Sequence, residues 1–269
     1  VQLNRGNPVF VPTSLEKGYK PTAEDLEQAI SPRTKWIFLN SPGNPSGAVY
    51  DEKDLKALAA VLRRHPNIWI LSDDIYEFLV YDGAKFVSIL NVAPDLKDRC
   101  LVVNGLSKAY CMPGWRLGYA AGPEDLIKAM FKIQSQSTSG ATHFCQWAGV
   151  VALKGDHAFI PVHNESFRQR RDLVISLTEQ IPGLSCIPPQ GAFYCFIRCS
   201  EYIGRKTPGG AEIFTDENLV SYLLEEAGVA AIPGTPFGMS PFFRVSFATA
   251  MPKLKSAFER IQTALNALR

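Results

Sequence analysis

The chain has 269 residues, 46% of them hydrophobic, enough to bury one large core and a smaller second one. Its 28 basic and 26 acidic residues nearly cancel to a net +2, which argues against nucleic acid or an anionic membrane surface as a partner. Apolar runs are short, the stretch 117–122 being typical, so no membrane span is expected.

The elements in chain order begin with apolar runs at 1–3 and 8–12, flanked by breakers and read as a strand. Residues 21–30 read as a helix. Thr22 is its N-cap, Asp25 lies where an acid favours the N-terminus, and Leu26, Ala29 and Ile30 form an apolar face. A buried strand follows at 35–39, ended by the breaker-rich run 40–47. A helix over 51–64 places Leu55, Leu58, Ala59 and Leu62 on one side. Strands are expected at 68–71, 101–103 and 117–122, with helices over 124–137 and 142–153. The second of these helices is poor in charge and expected to be buried. Strand and helix alternate here, the pattern of a mostly parallel sheet covered by helices.

A long amphipathic helix is expected over 157–180, with Phe159, Val162, Phe167, Leu173, Val174 and Leu177 as core positions and Pro161 near its start. Beyond Pro182 and Gly183 the character changes. Strands are expected at 191–197, 229–233 and 242–247, a polar loop at 206–210, and a helix over 217–226 stopped by Gly228. A closing helix covers 252–268. The expected organisation is a larger α/β domain over 1–160 and a smaller α+β domain over 161–269.

Cys100, Cys111, Cys145, Cys186, Cys195 and Cys199 match no zinc spacing and read as reduced, mostly buried thiols of a cytoplasmic protein. The histidines are scattered, and no metal site is expected. The sequence opens on Val1, without Met or a secretory leader, in a strand-like run. That suggests a trimmed or partial chain.

Chemistry concentrates at 104–118. An apolar strand ends there in a loop broken by Gly105, Pro113 and Gly114, which carries Ser107, Lys108 and Arg116. Loops past the carboxyl ends of strands are where open α/β sheets place ligands. A lysine near another cation and apolar walls becomes a usable amine nucleophile. An arginine and a serine beside it can hold a phosphate. Asn44, the group Asp73, Asp74 and Tyr76, and Arg244 within an apolar strand stand at other strand ends or in strands. Each has a plainer alternative: Asn-Pro-Ser-Gly at 44–47 is ordinary turn chemistry, Ser-Asp-Asp at 72–74 can simply end a strand, and a strand arginine can be a paired core residue.

The run Ser-Lys-Ala-Tyr-Cys-Met-Pro-Gly-Trp-Arg-Leu-Gly-Tyr at 107–119 resembles the lysine signature of class I pyridoxal-phosphate aminotransferases, the aspartate aminotransferase group. The run 40–47 is similar to the same family's N-x-P-x-N-P-T-G motif, with Ser46 in place of threonine. The resemblance covers the whole chain and implies the type I fold of pyridoxal-phosphate transferases, α/β with a smaller C-terminal α+β domain. It implies a Schiff base at Lys108 and phosphate ligands at Ser107 and Arg116. Asp73 would pair with the pyridinium nitrogen, Asn44 and Tyr76 with the ring's 3′-oxygen. Arg244 would clamp the substrate's α-carboxylate, and Asn44 would also lie against the substrate.

The activity implied is ping-pong transfer of an amino group between an L-amino acid, aspartate-like or linked to aromatic amino acids or prephenate, and a 2-oxo acid such as 2-oxoglutarate. A homodimer is implied for the full-length protein. A carbon–sulfur lyase on the same fold, or a non-catalytic module that kept it, remain open. The family carries about a third of its length ahead of the position of Val1, which implies that strands of the larger sheet and part of the cofactor site lie outside this sequence. Cys111, Pro113 and Asp74 depart from the commoner family residues, and Gly105 stands where some branches have serine.

Overall fold

The computed structural model describes all 269 residues. The chain divides into two compact units, Val1–Pro42 with Ala48–Val162, and Gly43–Gly47 with His163–Arg269.

The first unit opens with α1 (Ala23–Ala29), β1 (Trp36–Asn40), α2 (Glu52–Arg64) and β2 (Trp69–Asp73), followed by a short α3 (Ile89–Val92) and β3 (Cys100–Gly105). Then come β4 (Gly118–Ala121), α4 (Glu124–Ser135) and α5 (His143–Lys154). Capping boxes start both early helices: Thr22 with Asp25 on α1, Asp51 with Asp54 on α2. At the other end of α2 the Arg99 guanidinium donates to the carbonyls of Leu62, His65 and Ile68 at 2.6, 3.1 and 2.6 Å. A cation thus adds to the carbonyls at and just beyond the helix C-terminus, where positive charge is favoured. The apolar side of α2, with Leu55, Leu58 and Leu62, joins Leu26, Ile37, Leu39 and Ile70 in one buried cluster.

The strands run β1-β2-β3-β4, the first three parallel and β4 antiparallel to β3. The reversal follows from the connection. A loop rather than a crossover helix joins β3 to β4, so the chain can only come back alongside itself.

Two sequence-based expectations fail here. Residues 1–12 form no strand, only a 3-10 turn at Gln2–Asn4, and Leu3, Val9 and Phe10 are exposed. Pro8 and Pro12 cannot donate to a ladder, and an apolar run becomes a strand only when another strand accepts its hydrogen bonds. The second failure is α5, expected to be buried. Phe144, Trp147 and Val151 on it are exposed. Lack of charge makes burial favourable, but only a covering element provides it.

α6 (Phe159–Glu179) carries the chain from one unit into the other, with Pro161 in its first turn. Val174 and Ile175 are buried on it, while Val162, expected in the core, is exposed. The second unit continues with β5 (Tyr194–Arg198), α7 (Asp216–Ala227), β6 (Ile232–Pro233), β7 (Phe242–Ser246) and α8 (Met251–Asn266). Its antiparallel sheet has the order β5-β7-β6. Phe196, Phe243, Phe247, Phe258 and Ile261 fill its core. Thr215 and Asn218 box the start of α7, and Gly228 ends it at φ 59°, the left-handed conformation a helix stop needs.

Candidate active site

The parallel register of the first unit aligns strand ends. Asn40 on β1 lies opposite Asp73 on β2, and Asp73 opposite Val103 on β3. The segments after these ends carry the sequence-selected residues of this unit. Asn40 Nδ2 donates to the Asp73 carbonyl at 3.0 Å, and the Asp74 amide donates to the Val103 carbonyl at 3.0 Å. The ladder thereby fixes the backbone on both sides of Asp73. The Asp73 carboxylate accepts from the Ile75 amide at 3.3 Å.

Burial lifts the Asp73 carboxyl above its usual range, against the Ile75 amide and the Lys108 ammonium, which both pull it down. Asp74 beside it is buried and also raised by burial, its carboxylate accepting from Ser72 Oγ at 2.7 Å. Glu77 is raised by burial too, and accepts from Asn104 Nδ2 at 2.7 Å.

Tyr76 is buried, and Lys108 Nζ lies 5.7 Å from the centre of its ring. The loop that carries Lys108 is closed on itself. The Leu106 amide donates to the Leu117 carbonyl at 3.2 Å, the Met112 amide to the Leu106 carbonyl at 3.2 Å, and the Cys111 amide to the Lys108 carbonyl at 3.1 Å. At Gly105 a Cβ would sit 3.1 Å from the Leu117 carbonyl and 3.2 Å from Gly118 Cα. The close approach of β3 and β4 therefore leaves little room for the serine of other branches. Ser107 is half-buried on the same loop. Arg116 is exposed, and its Nη1 donates to the Pro113 carbonyl at 2.8 Å. With Trp115, Thr138 and Phe144 it lines a cleft of about 690 Å³. The structure thus groups Asp73, Tyr76 and Lys108, with Arg116 turned back onto its own turn.

Asn44 and Arg244 meet in the second unit, Arg244 Nη1 donating to Asn44 Oδ1 at 2.7 Å. The segment that carries Asn44 is pinned from behind: the Gly191 and Gln190 amides donate to the Gly47 carbonyl at 2.9 and 3.1 Å. Gly47 has φ 68°, and a Cβ there would lie 2.4 Å from Pro189 Cβ, so only glycine fits. The Asn44–Pro45 bond is cis, as are Ser41–Pro42 and Ser240–Pro241. Arg244 sits on β7 opposite Phe196 of β5, with its guanidinium 4.3 Å from the Tyr194 ring and 5.3 Å from that of Phe237. Its Nε is buried with no hydrogen-bond partner. A buried donor left in this state costs free energy unless a ligand accepts from it.

Comparison with known proteins gives the family and the fold. Residues 1–261 fit the family profile of aminotransferase class I and II. The chain belongs to that family. It is 51% identical over 268 residues to an aspartate aminotransferase of Rhizobium meliloti, a match that takes in the whole chain and 65% of the relative. It is also 51% identical over 262 residues to an aspartate/prephenate aminotransferase of Cereibacter sphaeroides, covering 97% of the chain and 66% of that relative. Among solved structures, the aspartate aminotransferase from Rhizobium meliloti superposes with a TM-score of 0.94 at 52% identity, over 98% of this chain and 66% of the other. An aromatic aminotransferase from Pyrococcus horikoshii gives 0.88 at 34%, over 97% and 68%. The chain therefore spans about two thirds of the length of such relatives, and its fold is the type I transferase fold.

Four further side chains of this aminotransferase-family chain were given no role by sequence reasoning, and three of them, Asn40, Tyr194 and Phe237, touch selected residues. Asn40 and Asn104 brace the loops, and Tyr194 and Phe237 flank Arg244. A signal existed for Tyr194. An antiparallel pairing that sets Phe196 opposite Arg244 also puts Tyr194 on the same face, one diagonal away. Nothing in the sequence marked Phe237.

Proposed function

We propose that the protein is a pyridoxal-phosphate-dependent aminotransferase that moves an amino group from an aspartate-like L-amino acid to a 2-oxo acid such as 2-oxoglutarate. One observation carries the reading: the amine of Lys108 above the Tyr76 ring, with the half-buried Asp73 carboxyl close enough to feel its charge. The names of the relatives, aspartate and aspartate/prephenate aminotransferases, support the substrate class.

The donor set fits the cofactor in kind: an amine for its aldehyde, a carboxyl for its ring nitrogen, a hydroxyl and a guanidinium for its phosphate. Arg244 Nε, buried without an acceptor, fits a substrate carboxylate. When bound, the pyridinium ring supplies an electron sink for the bonds at the amino acid's Cα.

The chain's own residues would then divide the work. Asp73 would pair with the ring nitrogen and keep it protonated, in a partly desolvated surrounding where opposite charges interact strongly. Tyr76 and Asn44 would donate to the ring's 3′-oxygen, and Ser107 with Arg116 would hold the phosphate. Lys108 Nζ would take up and return the proton of the substrate's Cα. Arg244, steadied by Asn44, holds the α-carboxylate and so fixes which Cα bond faces the ring. Residues 1–160 are assigned the cofactor and 161–269 the smaller domain. A homodimer and a cytoplasmic site of action complete the reading. No helix is long and apolar enough to cross a membrane.

The test uses the full-length protein loaded with pyridoxal phosphate. Borohydride reduction followed by peptide mass analysis is expected to place the cofactor on Lys108. Lys108→Ala is expected to lose the near-visible absorbance and to lower kcat about a thousandfold or more. A wild-type protein that releases pyruvate and ammonia without transferring an amino group would be a lyase. One with no near-visible band would be a non-catalytic module.

A further inference from the structure

We propose that Tyr194 and Phe237 are positioning residues for Arg244, and that the buried carboxylate of Asp216 holds the turn that brings Phe237 to it. The proposal rests on the aminotransferase reading, which gives Arg244 a carboxylate to bind.

A guanidinium is a flat cation with donors on its rim and no preference for one orientation unless its faces are held. Arg244 has aromatic rings near its guanidinium carbon, Tyr194 at 4.3 Å and Phe237 at 5.3 Å. The flat faces of such rings attract the cation and leave its rim donors available. On that rim Nη1 is tied to Asn44 Oδ1 at 2.7 Å, while Nε is buried without a partner. An arginine held by its faces and one rim contact presents its remaining donors in a fixed plane. A bidentate carboxylate contact needs that geometry.

The two rings are themselves anchored. Tyr194 lies on β5, which pairs with the Arg244 strand from Tyr194–Ser246 to Arg198–Phe242. Phe237 lies on the short 3-10 turn Thr235–Phe237, where a strand ladder cannot hold it. Its ring meets Phe196 edge-on at 6.1 Å, which fixes one side. Asp216 fixes the other. Fully buried in the first turn of α7, it accepts from the Gly234 amide at 3.1 Å, Thr235 Oγ1 at 2.6 Å and the Phe242 amide at 3.3 Å. One carboxylate thus joins the start of α7, the turn that carries Phe237 and the first residue of the Arg244 strand. Gly234 belongs to the device, since a Cβ there would lie 1.9 Å from the Met239 carbonyl.

The experiment compares Tyr194→Leu, Tyr194→Phe and Phe237→Leu in the full-length, cofactor-loaded protein. Its readouts are KM for aspartate, the dissociation constant of maleate as an unreactive dicarboxylate, kcat, the near-visible absorbance and the thermal midpoint. Tyr194→Leu and Phe237→Leu are each expected to raise KM and the maleate constant about tenfold, with kcat and absorbance changed less than about threefold. Tyr194→Phe keeps the ring face and is expected to return both constants to within about twofold of wild type. A merely structural role would instead lower the thermal midpoint and kcat together and leave KM in place. Leucine variants with wild-type KM and maleate binding would overturn the proposal. If Tyr194→Leu fails to fold, the half-exposed Phe237→Leu decides alone. Absence of transfer in the wild type would sink the aminotransferase reading, whereas intact transfer with unmoved constants would sink only the positioning role.

Discussion

Asp216 shows how much one side chain can organise. Its carboxylate is the common acceptor for three donors on two stretches of chain, the turn at Gly234 and Thr235 and the strand start at Phe242. Asp216→Ala removes the acceptor of the buried Phe242 amide and of the Thr235 hydroxyl, while the Gly234 amide keeps the Phe242 carbonyl at 2.7 Å, and is expected to cost about 2 kcal/mol in urea unfolding. A loss under about 1 kcal/mol would mean that these donors find other acceptors. The carboxyls of Asp73, Asp74 and Glu77 make a pH prediction. All three are raised, chiefly by burial. The folded chain then holds these protons more tightly than the unfolded one. The stability they contribute is full below the unfolded carboxylate pKa, about 4, and is lost as pH rises through their higher folded values. Asp74→Asn removes one such group while keeping its shape. Its thermal midpoint relative to wild type is expected to be higher at pH 7 than at pH 4, and an equal difference at both would contradict the assignment. Much of the candidate site's grouping was legible at this scale. Asp73, Tyr76 and Lys108, selected from sequence, lie in one group, and Asn44 touches Arg244 across 200 residues of sequence.

At the scale of elements, local chemistry and tertiary cover divide the credit. α1, α2 and α7 start at the capping boxes written in their sequences, since the cap is a contact between residues three apart. Thr22→Ala is expected to cost about 1 kcal/mol, read by denaturant unfolding. Leu58 on α2 is almost wholly buried in the first unit's core, and Leu58→Ala is expected to cost about 3 kcal/mol in the same measurement. A larger effect of the cap than of the core leucine would reverse this ranking. β4 was legible as a strand, but its antiparallel direction was not. Direction is set by the connection in space, and no residue in the strand encodes it.

For the whole molecule the informative feature is apolar surface. On α4, Phe131 and Ile133 are 70% and 73% exposed; on α5, Phe144, Trp147 and Val151 are 72%, 62% and 71% exposed. Large apolar side chains exposed on successive helices favour association. The 269-residue chain expressed by itself is therefore expected to self-associate in light scattering. Replacing Phe144 and Trp147 together by serine is expected to reduce the scattering mass. A monodisperse wild-type chain would contradict the expectation.

What the sequence by itself determined was whatever depends on near neighbours or on residue chemistry: where helices start and stop, which runs are apolar, and which residues could carry an amine, a carboxyl or a phosphate contact. Tertiary structure alone decided the rest. It left residues 1–12 outside any sheet, turned β4 back along β3, exposed α5 and set aromatic rings against Arg244. The physical reason is the same in each case. Hydrogen-bond partners, apolar cover and stacked faces come from residues distant in sequence, and a run of amino acids states its need for them without saying whether it is met.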